Sequence, residues 1–352
     1  MQSRLESAFM KTTVIRQVAW ICFLVGCVSF GIAFNQPSAY AQTPTLRVQS
    51  SLVLVDVISQ DPKSGLPVRD FKREDFRVFD NRHEVRISTF DAGAQYDTRP
   101  ITLWLVAICN EGGLPKFGAS AEFAGEESHF RPALNHLENH DTVGVAHWCD
   151  NGETQLDLPP TEDRDSAIRA LAETLKPIPF QGGTFASDEA GEQAFRKLIR
   201  LIIRDAYRRN PKPLPVIVFL HGDHTGQPHG ELNELVDDFL ETSGIVFGLS
   251  NYGAPKHLFL IGEQSKIMHY MAKHTGGEYF SAPPSGYAAT LEAILTQLHF
   301  RYELGFIPAA IDGTRHKLRV ELTKRAKAEH KGVRLKCRPE YIPVREEPEW
   351  TH

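Results

Sequence analysis

The chain has 352 residues, 41% hydrophobic and 24% charged, which is an ordinary globular composition with room for one large domain and a smaller one. Its formal net charge is −5 and it carries no basic footprint, which argues against a nucleic-acid partner. Five cysteines, none in a C-x-x-C spacing, give no zinc signature.

Lys11 and Arg16 precede an apolar run from Val18 to Phe34, and small residues lead to Ala39-Tyr40-Ala41 before Gln42. A charged region, an apolar region and an A-x-A site predict a secretory signal peptide over 1–41. Two other readings compete with cleavage there. A membrane anchor would need a longer run than this one, which Gly26, Ser29 and Gly31 interrupt. Leu24-Val-Gly-Cys27 resembles a lipoprotein box, although the apolar run continues past Cys27. Cleavage after Ala41 removes Arg4, Lys11, Arg16 and Glu6, taking the charge from −5 to −7, and leaves Cys109, Cys149 and Cys337. In an oxidising compartment two of these three can pair.

Residues 42–99 read as β structure. Leu52 to Ile58 is strand-like, and Asp61-Pro-Lys-Ser-Gly65 is a turn. Phe76–Phe79 and Val85–Phe90 alternate about a turn at Asp80-Asn81, which is a hairpin signal. These strands are too few to close a core alone, so partners from elsewhere in the chain are expected.

Residues 100–300 alternate strand-like and helix-like segments, as an α/β domain must. Ile101–Cys109 is almost continuously apolar and predicts a strand buried on both faces of a parallel sheet. Phe130, Ala133, Leu134 and Leu137 space as a helix with Ser128 as a cap. Asp141–Trp148 predicts a second strand, and Glu153–Leu158 an edge strand ended by Pro159-Pro160, with a helix starting at Thr161. A Gly-Gly-Thr184 loop precedes a long helix with Phe195, Leu198, Ile199, Ile202, Ile203 and Ala206 on one stripe. Pro215–Leu220 and Ile245–Leu249 are strands, each followed by a helical pattern, and Gly276-Gly277 closes the second helix. Glu278–Phe280 is a short strand, and a last helix carries Leu291, Ile294, Leu295 and Leu298. Residues 301–345 return to β character over 301–307, 317–322 and 333–337, with Lys324-Arg-Ala-Lys327 read as a solvated turn. Pairing of this tail with 42–99 into one small β-sandwich is the expected outcome.

The order of the core segments, with Gly-Gly-Thr184 before the long helix, resembles a von Willebrand factor type A domain. Leu54-Val-Asp56, Asp75–Phe79, Thr275-Gly-Gly277, Tyr302-Glu-Leu-Gly-Phe306 and Arg338-Pro-Glu-Tyr341 are similar to the flanks of acidobacterial VWFA-related proteins, over about residues 45–345. The resemblance implies a doubly wound, mostly parallel sheet, β-rich flanks, secretion and adhesion-type protein binding. It also implies a metal-dependent adhesion site made of D-x-S-x-S after the first strand, a Thr in the second loop and an Asp after the fourth strand, all hard ligands for Mg²⁺ or Ca²⁺. This chain departs from that pattern. It reads Ala107-Ile-Cys-Asn-Glu111 in the first loop and Leu220-His221-Gly222 after the fourth strand, with Asp223 one position late; only Thr184 matches. The expectation is therefore a degenerate site with no divalent cation and no other cofactor. Its binding loops would carry Asn110, Glu111, Thr184, His221, Asp223 and His224. In the implied topology the strands ending at Cys109 and Cys149 are parallel neighbours, so the resemblance implies a disulfide between them, with Cys337 free.

The same residues admit other chemistry. His221, Asp223 and His224 suit a transition metal, but a solvated polar turn is the better reading, since no further ligand completes a shell. Val216–Gly222 looks like the oxyanion strand of a serine hydrolase, yet the required elbow is met only by Gly248-Leu-Ser-Asn-Tyr252, where Tyr replaces glycine. Cys109 or Cys149 with His147 nearby suggests a nucleophile, against which stands a structural disulfide. The expected function is a secreted or periplasmic, non-enzymatic interaction module, without a membrane span after cleavage, for an unknown protein partner in the envelope or outside the cell. The alternatives are a secreted metal-dependent or serine hydrolase using the His221-Asp223-His224 loop, and an envelope structural protein anchored at Cys27.

Overall fold

The computed structural model describes residues 52–93, 99–109, 130–149, 154–175, 188–209, 212–221, 232–250 and 263–343. Six strands make the central sheet: β5 (Ile101–Cys109), β6 (Thr142–Cys149), β7 (Thr154–Thr161), β8 (Leu214–His221), β9 (Ile245–Ser250) and β10 (Tyr279–Ser281). The spatial order is β10-β9-β8-β5-β6-β7, and only β7 runs antiparallel. In chain order that is 3-2-1-4-5-6, the doubly wound arrangement, with its switch point between β5 and β8.

Alternation along the strands splits the core into two layers. Leu103, Leu105 and Ala107 of β5 face α1 (Phe130–Leu134), α2 (Arg164–Thr174) and α6 (Tyr287–His299), where Leu134, Leu171, Leu291 and Leu295 are buried. Trp104, Val106 and Ile108 face the other way, onto α3 (Asp188–Arg208), α4 (Leu232–Thr242) and α5 (Glu263–Thr275). A nine-residue apolar strand flanked by paired strands has no solvent face, which is why its sequence is not amphipathic.

The flanks build two four-stranded antiparallel sheets. One has the order β13-β1-β11-β4 and the other β14-β12-β2-β3. The members are β1 (Val53–Gln60), β2 (Phe76–Asp80), β3 (His83–Val85), β4 (Ile87–Ala92), β11 (Tyr302–Phe306), β12 (His316–Leu322), β13 (Arg334–Lys336) and β14 (Glu340–Tyr341). Every N-terminal strand except β3 pairs directly with a C-terminal one, as in Val55↔Leu304 and Val78↔Val320. Val53, Val55, Val57, Phe76, Val78, Leu304 and Phe306 fill the space between the sheets.

Several local expectations need correction. β7 continues through Pro159 and Pro160 to Thr161; as an edge strand it can seat prolines on its unpaired side, and the register shifts beside Val145. The following helix starts at Arg164, because Asp163 caps it by accepting from the Asp165 and Ser166 amides. The first helix ends at Leu134 rather than Leu137, and Ser128 lies outside the described residues. Lys324–Glu329 is a helix, α7, capped by Thr323, with Ala326 buried in the sandwich core. Its one buried apolar residue is too little periodicity to reveal it in sequence. The hairpin turns at Asn81-Arg82, both at positive φ, one position beyond the expected site.

Buried charges join the sandwich to the α/β layers. Arg301, 1% exposed, donates from Nε to Asp56 Oδ1 at 2.7 Å and from its Nη atoms to the carbonyls of Leu298 and Arg99. Arg99 donates to the other Asp56 oxygen at 2.7 Å and lies 3.1 Å from Glu303. Burial pushes the Asp56 carboxyl up, but the two guanidiniums outweigh it and hold it below the usual range. Arg338 donates to Leu240 O at the end of α4 and to Leu54 O on β1, at 2.7 and 2.8 Å. These joints lie at the amino end of the central sheet.

His316 is a further brace. Nδ1 lies 2.9 Å from Asp80 and Nε2 lies 3.2 Å from Asp312, with Tyr341 Oη at 3.2 Å. Carboxylates at both ring nitrogens require both to donate, which is the imidazolium form. Burial lowers the imidazole pKa, but the hydrogen bonds to the two aspartates prevail and raise it. A pKa raised in the folded state gives stability that is complete below the unfolded value of about 6.5 and is lost as pH rises through the folded value. Urea midpoints should therefore fall as pH increases above about 6.5, and His316→Gln should flatten that dependence. An unchanged slope in the variant would remove His316 as its cause.

Candidate functional site

In an open α/β sheet the carboxyl edge beside the switch point is the place for a ligand. Here the edge is built from the ends of five parallel strands. Ile108 is the register partner of Trp148 on one side and of His221 on the other; His221 pairs with Ser250, and Ser250 with Ser281. One step further, Cys109 pairs with Cys149. Thus the two chain ends at the switch point leave from Cys109 and His221. Beneath them, Trp148, Phe195 and Phe219 form a row of rings with centroids 5.1 and 5.7 Å apart, which gives the edge a rigid floor.

The backbone of His221 is thus at the switch point, as is that of Cys109, and Cys149 ends the next strand, β6. Asn110, Glu111, Thr184, Asp223 and His224 lie outside the described residues. So do Asn251 and Tyr252 of Gly248-Leu-Ser-Asn-Tyr252, whose first three residues close β9. Among the described residues no group of three or more His, Cys, Asp or Glu side chains is placed to hold a metal ion.

A pair that sequence reasoning did not assemble stands beside the edge. His147 on β6 meets Asp157 on β7, with Nδ1 3.0 and 2.9 Å from the two carboxylate oxygens. Both are largely buried, at 15% side-chain exposure each. The register pairs His147 with Gln155, so Asp157 reaches it diagonally across an irregular ladder. Only the bulge in that ladder brings the two together, and nothing in the local sequence signals it. The alternation His147-x-Cys149 was the one legible part.

Other histidines are structural. His299 Nε2 is 2.8 Å from Asp141, whose carboxylate also accepts from the Ile101 and Glu138 amides. Burial raises the Asp141 pKa, but the hydrogen bond from His299 and those two amides lower it overall. His274 packs against Tyr270 with ring centroids 4.1 Å apart and sits 3.7 Å from Glu340.

The sequence matches no protein-family model and no curated protein. The fold is similar to solved type A structures. One is the conserved hypothetical protein BatB from Bacteroides thetaiotaomicron, at 16% identity and TM-score 0.40, covering 56% of this chain and 97% of that one. Another is a von Willebrand factor type A protein from Catenulispora acidiphila, at 10% identity and TM-score 0.40, covering 79% and 75%. A third is the pilus adhesin SpaC from Lactobacillus rhamnosus GG, at 13% identity and TM-score 0.39, covering 69% of this chain and 35% of that one. At such identities the likeness speaks to the fold alone.

Proposed function

We propose that this protein is a secreted or periplasmic, non-enzymatic interaction module that presents the loops at the carboxyl edge of its type A-like sheet to a protein partner, without a divalent cation. The observation that supports it most is the pair of chain ends at the switch point. They leave from Cys109 and His221, where an adhesion-type metal site would need hard carboxylate ligands. The β-sandwich joins at the opposite, amino end of the sheet, which fits a stalk-like role for the flanks. Among the described residues no helix is long and apolar enough to cross a membrane. Release by cleavage after Ala41 is part of the reading, with attachment at Cys27 as its competitor; the mass of the mature N-terminus separates them.

Capture of a partner from envelope extract by the full chain should be unaffected by EDTA. Calorimetry should give Mg²⁺ binding no tighter than about millimolar, the weak end for oxygen-ligand sites. Tight Mg²⁺ binding that disappears in Thr184→Ala would overturn the cation-free reading. Hydrolysis in a broad substrate screen, abolished by His221→Ala, would overturn the non-enzymatic one.

A further inference from the structure

The carboxyl edge holds two cysteines whose placement invites chemistry of its own. Cys109 and Cys149 end parallel neighbouring strands as Cα partners. Adjacent strands lie about 4.8 Å apart, which is within the 4.4–6.8 Å that a disulfide accepts and short of its usual 5.5–6 Å. Two residues before Cys149 on the same strand is His147, held from β7 by both oxygens of Asp157. On a strand, positions i and i+2 share a face. The odd positions before them, Val143 and Val145 on β6 and Leu103, Leu105 and Ala107 on β5, lie in one and the same core layer. Cys109, His147 and Cys149 occupy the next positions of those rows.

We propose that Cys109 and Cys149 form a thiol–disulfide exchange site at this edge, with His147, positioned by Asp157, stabilising the thiolate released when the bridge opens. In the oxidising direction one protein thiolate attacks a sulfur of a low-molecular-weight disulfide such as glutathione disulfide and expels one glutathione thiolate. The second protein thiolate then attacks the mixed disulfide at the protein sulfur and expels the other. One S–S bond forms and one breaks, the protein gives up two electrons, and its two thiol protons end on the two glutathione thiols. Opening by two glutathione thiols is the reverse. A protonated imidazole beside the departing sulfur favours the leaving thiolate. The third cysteine contrasts with this pair. Cys337 lies in the sandwich, where burial pushes its thiol up to about 11, so it is an internal reference for an inert cysteine.

The reading does not rest on partner binding, and its test involves no partner. The full chain is equilibrated in glutathione buffers of graded ratio, then alkylated and mapped by mass spectrometry. Cys109 and Cys149 should oxidise together and reopen reversibly within that series, with Cys337 reduced throughout. In the reduced protein at pH 7, His147→Gln should slow alkylation of the pair by about ten-fold and move its rate–pH profile to higher pH, a shift near one pKa unit. Asp157→Asn should shift it less, and Cys337 protection reports that each variant is folded. Independent alkylation of the two cysteines in excess glutathione disulfide would overturn the proposal, as would a bridge that excess glutathione never opens. An unmoved profile in folded His147→Gln would remove His147 from it. Zinc retained by the reduced protein with both thiols protected would reassign them as metal ligands.

Discussion

Replacing Arg301 by Ala should destabilise the protein by about 3–5 kcal/mol, the range for breaking a buried ion pair from one side. The side chain is 1% exposed, and three of its donors are committed: one to Asp56, one to Leu298 O and one to Arg99 O. Removing it leaves the Asp56 carboxylate facing one guanidinium instead of two, in a site where Glu303 is already pushed up by burial. It also removes the guanidinium donors to the Leu298 and Arg99 carbonyls at the seam between sandwich and α/β layers. Urea denaturation of Arg301→Ala against the parent measures the loss. Arg77→Ala is the control: its ion pair with Glu84 has both side chains more than 40% exposed, and the variant should melt close to the parent. Similar midpoints for the two variants would mean that the seam does not depend on Arg301.

Gly277→Ala should be at least as costly as other overpacking changes, about 3 kcal/mol or more. A Cβ on Gly277 would stand 1.9 Å from the carbonyl oxygen of Val246 and 3.2 Å from Ile245 Cγ2. The obstacle is backbone inside a paired parallel ladder, so no side chain can rotate away; β9 or β10 must shift. Gly286→Ala is the matched control, since its nearest neighbours would be at 3.5 Å and its φ of −93° suits any residue. Thermal melts should separate the two clearly. If Gly277→Ala melts with the parent, the approach of Gly277 to Val246 is not the constraint described.

The same region shows what the Thr275-Gly276-Gly277 run is for. Thr275 Oγ1 accepts from the Val246 amide and donates to Met271 O, Gly276 turns the chain at φ +87°, and Gly277 passes under β9. One hydroxyl and two missing side chains let a helix end against a strand and start the next one at van der Waals distance. Arg338 works similarly from the tail, donating to the end of α4 and to β1 at once.

Sequence by itself determined the alternation of strands and helices, the burial of Ile101–Cys109 and the β character of both flanks, because hydrophobic period and turn residues are local properties. It also showed that Ala107 and His221 stand where the resemblance to an adhesion-type pattern would place aspartates, since that is a matter of identity. Only the tertiary structure decided which strands meet. Nothing local in Val53–Gln60 specifies that it lies between β11 and β13, or that Asp56 meets Arg301 from 245 positions away. Helix α7 escaped notice because one buried alanine carries no periodic signal. The His147–Asp157 pair escaped notice because a bulge, rather than spacing, aligns it. Side-chain contacts across strands depend on register, and register is fixed by the whole layer packing at once.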